Sequence, residues 1–287
     1  MPERSPDHGS FIMFLSAFMF SIMAVSVKFA SQSVSASEII FFRCIISVAI
    51  ILLMALMGKA DLKPHSMGLL IFRGLAGATG LTFYFHAVSL TTLSNAVLLT
   101  YTFPIFAAIY SSFLLKEYLT KQKIMLIFLA FFGIAMIFGF NFANVGIGDI
   151  FALTAGVING MVITSVRQLR KTDSAWVIVF SFVLAGSIAS FSMMGFRLPA
   201  LTTAALLPLL FVGIFGTLGQ LLMSYAFKAC STALGGIIQL SSVVITIILS
   251  YFIFKEPLTV FMVVGGLLVF WSAASFSSKE KCAITHS

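Results

Sequence analysis

Arg43 and Arg73 stand inside long apolar stretches of a 287-residue chain. An arginine in hydrocarbon costs about 2.5–3.5 kcal/mol on insertion scales, so such residues mark functional sites by default. Arg43 lies about seven residues into its apolar run, roughly 10 Å deep at about 1.5 Å per residue. That is too deep for an interface anchor. On a functional reading it attracts a carboxylate or phosphate; on a structural one it is tied to helix-end carbonyls or to Glu38. Arg73 lies about six residues from the end of its run, within snorkelling reach of the headgroups. The other reading puts it at the inner mouth of a pathway. Glu38 is either a carboxylate favoured by the dipole of its helix or a proton carrier. His86 is either a hydrogen-bonded packing residue or a group that titrates near neutral pH.

Neutral polar residues complete the candidate set. Tyr84 and Tyr101 offer a ring and a hydroxyl to a flat or apolar substrate. Asn159, Gln220 and Gln239 fall well inside apolar runs, with Asn95, Thr100, Ser241 and Ser242 adding smaller groups. Each alone is also accounted for by an interhelical hydrogen bond. What is missing narrows the chemistry. There is no Walker-type loop for ATP, no His/Cys/Asp cluster with metal spacing and no Ser-His-Asp set. Cys44, Cys230 and Cys282 make no pairing framework. No metal or cofactor is therefore expected. Two arginines buried in apolar runs favour anionic or zwitterionic cargo over cationic drugs.

The elements that position these residues must be membrane helices. The chain is 60% hydrophobic and 9% charged, with 32 Phe and a mean hydropathy of +1.11; soluble domains carry about 25% charged residues. Its natural solvent is lipid. The net charge of +8 reads as membrane orientation rather than nucleic-acid binding, because the basic residues fill short gaps between apolar runs. Ten runs approach the ~20 residues a span needs: 10–29, 36–57, 67–89, 92–115, 122–141, 148–166, 175–196, 205–227, 232–254 and 258–277. They are continuous rather than alternating, which excludes a β-barrel. With a cytoplasmic N-terminus, twelve Lys and Arg fall at inner ends and three at outer ends, so both termini are expected inside. Pro104 lacks a backbone donor, which predicts a kink beside Tyr101.

The chain also repeats itself at an offset of 139 residues. Gly74, Gly77 and Gly80 fall on Gly213, Gly216 and Gly219, and "KEYLT" (Lys116–Thr120) falls on "KEPLT" (Lys255–Thr259). Arg4, a following apolar run and "SVSAS" also fit a secretory signal, but the first run pairs with the sixth, which lies mid-chain. Each half holds five runs, an odd number, so consecutive halves enter the membrane from opposite sides. Inverted repeats are the sequence sign of alternating-access transport. The glycine stripes are expected to pack helices closely, and the two "KE" loops to be one loop inverted.

Two five-helix halves, a "KE" closing the fourth run of each, "FFRCIIS" (Phe41–Ser47) and the stretch from Phe72 to Glu117 resemble the drug/metabolite transporter superfamily, in particular its EamA-type ten-helix members. The resemblance implies an all-α integral membrane fold of ten helices in the bacterial inner (cell) membrane. Its repeats would span 10–141 and 148–277, between cytoplasmic tails 1–9 and 278–287. It also implies a central cavity, with the fifth and tenth helices peripheral. The expected function is secondary transport, as export, of a small amino-acid-like or carboxylate-bearing metabolite. The substrate-binding candidates are Arg43, Tyr84, His86, Asn95, Tyr101, Asn159, Gln220 and Gln239, with Glu38 and His86 as candidates for proton coupling. Partners would be the small-molecule substrate and the bilayer, with no nucleic acid, in a monomer or homodimer. Uptake of a cofactor-like molecule such as S-adenosylmethionine or riboflavin is an alternative, and so is an intramembrane enzyme or lipid-binding scaffold.

Overall fold

The computed structural model describes residues 6–138, 146–197, 203–255 and 257–285; Arg4, the 139–145 linker and Glu256 lie outside them. All regular structure among the described residues is helical: α1 (Pro6–Ala30), α2 (Ala36–Leu56), α3 (Met67–Leu90), α4 (Leu93–Thr100), α5 (Phe103–Leu114), α6 (Lys121–Phe138), α7 (Ile147–Leu169), α8 (Ala175–Met193), α9 (Thr203–Ala226), α10 (Thr232–Phe254) and α11 (Val260–Thr285). These make ten membrane-capable spans, because α4 and α5 share the span Asn95–Leu114. Helix and apolar run agree because every backbone polar group in hydrocarbon must be satisfied within its own segment. Phe11, Phe113, Leu56 and Trp271 are among the large apolar side chains that face outward, as lipid requires.

The fourth run breaks where Pro104 predicts. Helix α4 ends at Thr100, and α5 restarts at Phe103 with the proline in its first turn, where its missing N–H leaves no gap. Its counterpart α10 has Val243 at the corresponding position and runs unbroken. Helix starts repeat as well. Ser35 and Ser174, 139 residues apart, precede α2 and α8; Thr92 and Ser231, again 139 apart, precede α4 and α10. The hydroxyls of Thr92, Ser174 and Ser231 accept N–H bonds from the first turns that follow, each worth about 1 kcal/mol. Lys116 and Lys255, the lysines of the two "KE" loops, both take left-handed backbones, with φ of 55° and 57°.

Packing joins the first five spans to the last five. Helix α1 packs on α9 and α10, α2 on α8 and α9, α3 on α7 and α8, α4 and α5 on α7, and α6 on α11. The glycine stripes lie on these crossings. A Cβ at Gly74 would come 2.7 Å from the Ser181 carbonyl of α8, and one at Gly213 would come 2.4 Å from Ile46 of α2. Hydroxyls reinforce the joints: Ser16 donates to the Gly219 carbonyl at 2.8 Å, and Ser21 to that of Ser242 at 2.9 Å.

Polar contacts gather at the two ends of the bundle. At one end, Asp173 accepts the backbone N–H of His65 (2.8 Å) and of Ser66 (3.3 Å), tying the α7–α8 turn to the α2–α3 loop. Beside it, Glu117 pairs with Arg167 Nε at 3.2 Å and accepts the Thr232 N–H at the start of α10 at 2.9 Å. Arg167 also donates to the Phe227 carbonyl. At the other end, Asp149 accepts the Thr91 hydroxyl (2.8 Å), the Asn95 amide (3.1 Å) and the Gly146 N–H (2.8 Å). There too, the Lys28 ammonium lies 4.3 Å from the centre of the Phe254 ring.

Candidate functional site

Between the two sets of spans lies a cavity of about 360 Å³. Helices α1 to α5 and α7 to α10 contribute to its lining, together with Tyr101 from the break between α4 and α5; α6 and α11 contribute nothing. The outlying position expected of the fifth and tenth spans follows. A larger cleft of about 690 Å³ runs between α3 and α8, but it is apolar and bordered by outward-facing Ile71, Leu75 and Ile188. It has the character of a lipid-covered surface, so the smaller cavity is the candidate chemical site.

Arg43 and Arg73 both reach this cavity and stand over one ring. Their guanidinium carbons lie 5.8 and 4.6 Å from the centre of Phe182. Arg73 is 2% exposed, and its Nε and Nη1 have no hydrogen-bond partner. The snorkelling expected of Arg73 is therefore not what occurs; the side chain turns inward beneath Gly77, where a Cβ would come 2.5 Å from Nη1. Spacing held the clue. Arg73, Gly77, Gly80 and Tyr84 recur at four, three and four residues, and all line the cavity, so they form one helical face. The alternative tie between Arg43 and Glu38 is also absent. Glu38 accepts the Ser35 N–H at 2.6 Å and the Ser35 hydroxyl at 2.7 Å, which is the capping role.

The other polar groups of the cavity are neutral. Tyr84, Thr100, Tyr101, Asn159, Gln220, Gln239 and Ser242 line the cavity. The Oε1 atoms of Gln220 and Gln239 are buried without partners, so each is an acceptor left open at the site. Among the described residues no Asp or Glu lines the cavity. Phe20, Met23, Phe103, Phe182 and Met223 supply apolar wall.

Two of the eight substrate-binding candidates fall outside, as does Ser241. His86 is exposed on the bundle surface, its Nδ1 2.8 Å from the Thr82 carbonyl of its own helix. It lies two residues beyond Tyr84, about 200° around an α-helix, and cannot share that face. Asn95 binds Asp149 at the bundle end, so it fastens α4 to α7. Phe20 and Met23 were not singled out from sequence, where an apolar lining residue looks like any other.

Most of the lining comes in pairs 139 residues apart. Phe20 and Asn159 both line it, as do Arg43 and Phe182, Leu81 and Gln220, Tyr84 and Met223, and Thr100 and Gln239. The model of the EamA-like transporter family matches this chain twice, over residues 8–139 and 146–278. The chain belongs to the EamA-like transporter family. It is 26% identical over 276 residues to the pseudopaline exporter CntI of Pseudomonas aeruginosa, covering 95% of this chain and 97% of that protein. It is also 26% identical over 283 residues to human solute carrier family 35 member G1, covering 92% of this chain and 77% of that protein. A crystal structure 16% identical in sequence superposes with a TM-score of 0.81, over 97% of this chain and 99% of the other; at that identity the likeness concerns the fold. This EamA-like protein is a multi-pass membrane transporter, and the enzyme and scaffold alternatives fall away.

Proposed function

We propose that this transporter is a secondary carrier that exports small carboxylate-bearing metabolites by alternating access between two inverted five-helix halves. The observation that carries the substrate class is the central cavity: two inward arginines, open amide acceptors and no acidic side chain. Cargo whose carboxylate meets Arg43, and whose polar remainder meets Gln220, Gln239 or Asn159, would satisfy groups that are otherwise desolvated and unpaired. A cavity of about 360 Å³, at the low end for small-molecule sites, favours such cargo over a cofactor-sized molecule.

Inverted halves are supported by packing. Swap each span for its partner 139 residues away, and α1 on α9 becomes α7 on α3, α2 on α9 becomes α8 on α3, and α6 on α11 maps to itself. Both members of each exchanged pair pack together. Cavity pairs at the same offset support a site on the interface of the repeats, which rocking would require. Export is favoured by the likeness to a protein named an exporter. The basic end bearing Lys116, Arg167 and Lys171 would then be cytoplasmic.

Counterflow in proteoliposomes tests the reading. Vesicles loaded with unlabelled glutamate, aspartate, succinate or a mixture of amino acids are expected to accumulate labelled counterpart, and Arg43→Ala at matched abundance to lose the exchange. No exchange with any carboxylate, or wild-type flux in Arg43→Ala, would defeat the assignment.

A further inference from the structure

Arg43 and Arg73 together ask for more than one negative charge. Both guanidiniums lie within 6 Å of one ring centre, that of Phe182. Arg73 Nε and Nη1 have no hydrogen-bond partner, and among the described residues no acidic side chain lines the cavity. Two like charges in one weakly polar cavity repel each other, and each is costly unless something pairs with it. A monocarboxylate satisfies only one. The rest of the lining cannot help, because Gln220, Gln239, Tyr84 and Asn159 carry no charge.

We propose that the cargo presents two negative charges to the Arg43–Arg73 pair, either as neighbouring carboxylates or as a phosphomonoester. The inference rests on the carrier reading for its consequence, not for its geometry. Phe182 stands against both cations from the opposite set of spans. Arginine forks suit either anion, since both present oxygens in a plane or tripod that accepts paired N–H donors. The neutral amides would receive the remainder of the molecule by hydrogen bonds. Cargo therefore enters with its doubly charged end toward α2 and α3 and its uncharged polar end toward α7, α9 and α10.

The test uses the purified full-length protein in detergent at low ionic strength, with binding read by thermal shift and by calorimetry. Probes are succinate, its monoamide succinamate, and glycerol 3-phosphate at a pH where the phosphate is a dianion. Succinamate has nearly the size of succinate with one charge fewer. Wild-type protein is expected to bind at least one dianion about tenfold or more tighter than succinamate, the scale of one charge-assisted contact. The preference between succinate and glycerol 3-phosphate then says which anion the pair fits. In Arg73→Gln the preference for the dianion should collapse to near unity, while Arg73→Lys should retain part of it. The wild-type comparison stands alone should Arg73→Gln fail to fold. Equal binding of succinate, glycerol 3-phosphate and succinamate, or no binding of any of them, would overturn the proposal, as would an undiminished preference in a folded Arg73→Gln. Dianion binding without counterflow would instead defeat the carrier reading and leave the two-charge site standing.

Discussion

Replacing Glu117 by Gln should loosen one end of the bundle. Glu117 sits where three elements meet: its Oε1 holds Arg167 at the end of α7 at 3.2 Å, and its Oε2 accepts the Thr232 N–H at the start of α10 at 2.9 Å. The side chains of Arg167 and Glu117 are 24% and 19% exposed, so the pair is neither a solvated surface bridge, worth about 0–1 kcal/mol, nor a fully buried one, whose breaking costs about 3–5 kcal/mol. Glutamine keeps the shape and one acceptor but gives up the charge facing Arg167 and the helix N-terminus. A loss of about 2 kcal/mol follows, or about 30-fold in the ratio of closed to open ends. Native Cys230 reports on this directly. It is fully buried in the turn between α9 and α10, two residues before Thr232. Maleimide labelling of the Cys230 peptide, followed by mass spectrometry, should therefore speed up about tenfold or more in Glu117→Gln. Arg167→Gln should have a similar effect, and the double variant little more than either single, because both remove one interaction. Labelling at the wild-type rate, or additive effects in the double variant, would refute the latch.

Three further predictions concern other polar clusters. Burial alone would raise the Asp173 carboxyl, but hydrogen bonds from the Thr172 hydroxyl, the His65 and Ser66 N–H groups and the Ser66 side chain outweigh it and hold the group below its ordinary range. Its stabilising effect is thus present above the unfolded aspartate value of about 4 and lost as pH falls through the lowered one; Asp173→Asn should flatten the acid limb of a plot of thermal midpoint against pH. Asp149→Ala should lower stability by about 2–3 kcal/mol, since three donors lose a common acceptor, while probe binding to the refolded or stabilised cavity stays within a few-fold. Neither His86→Ala nor Glu38→Gln should change the pH dependence of transport, because neither side chain reaches the cavity; a shifted profile in either would restore it as a proton carrier.

The spans were legible because hydrocarbon imposes a strong rule: continuous apolar runs with no partnerless backbone. The break at Tyr101 was legible because a proline states its own geometry. The repeat was legible because glycines at crossings and charged loops cannot drift without cost, as Gly213 against Ile46 illustrates. Side-chain direction was harder. Arg43, Tyr84, Tyr101, Asn159, Gln220 and Gln239 reach the cavity, yet Arg73 looked able to snorkel and His86 looked poised for chemistry. Both errors come from judging depth without rotation. An arginine six residues from a helix end can go either way, and only the face shared with Gly77, Gly80 and Tyr84 decides. Asn95 looked like a ligand contact because nothing in the sequence announced that Asp149 would lie across from it.

The pairs at offset 139 expose a division of labour that no single residue shows. Positions in the frame are matched: cap with cap, glycine with glycine, left-handed lysine with left-handed lysine. Five of the paired positions in the cavity are unlike. Arg43 is matched by Phe182, Tyr84 by Met223, Phe20 by Asn159 and Leu81 by Gln220, so each pair sets a polar or charged group against an apolar one. Rocking between two states of similar energy asks for a frame whose halves are alike, since the two end states then exchange similar contacts. Holding one end of an asymmetric anion asks for walls that are unlike, since identical walls would offer two equivalent and opposed orientations. Selection on the frame and selection on the cavity therefore pull the same repeated sequence in opposite directions, and a substitution such as Phe182→Arg, which would make the pair at 43 and 182 alike, should harm binding because it removes the ring that both arginines stand over, even though it restores symmetry.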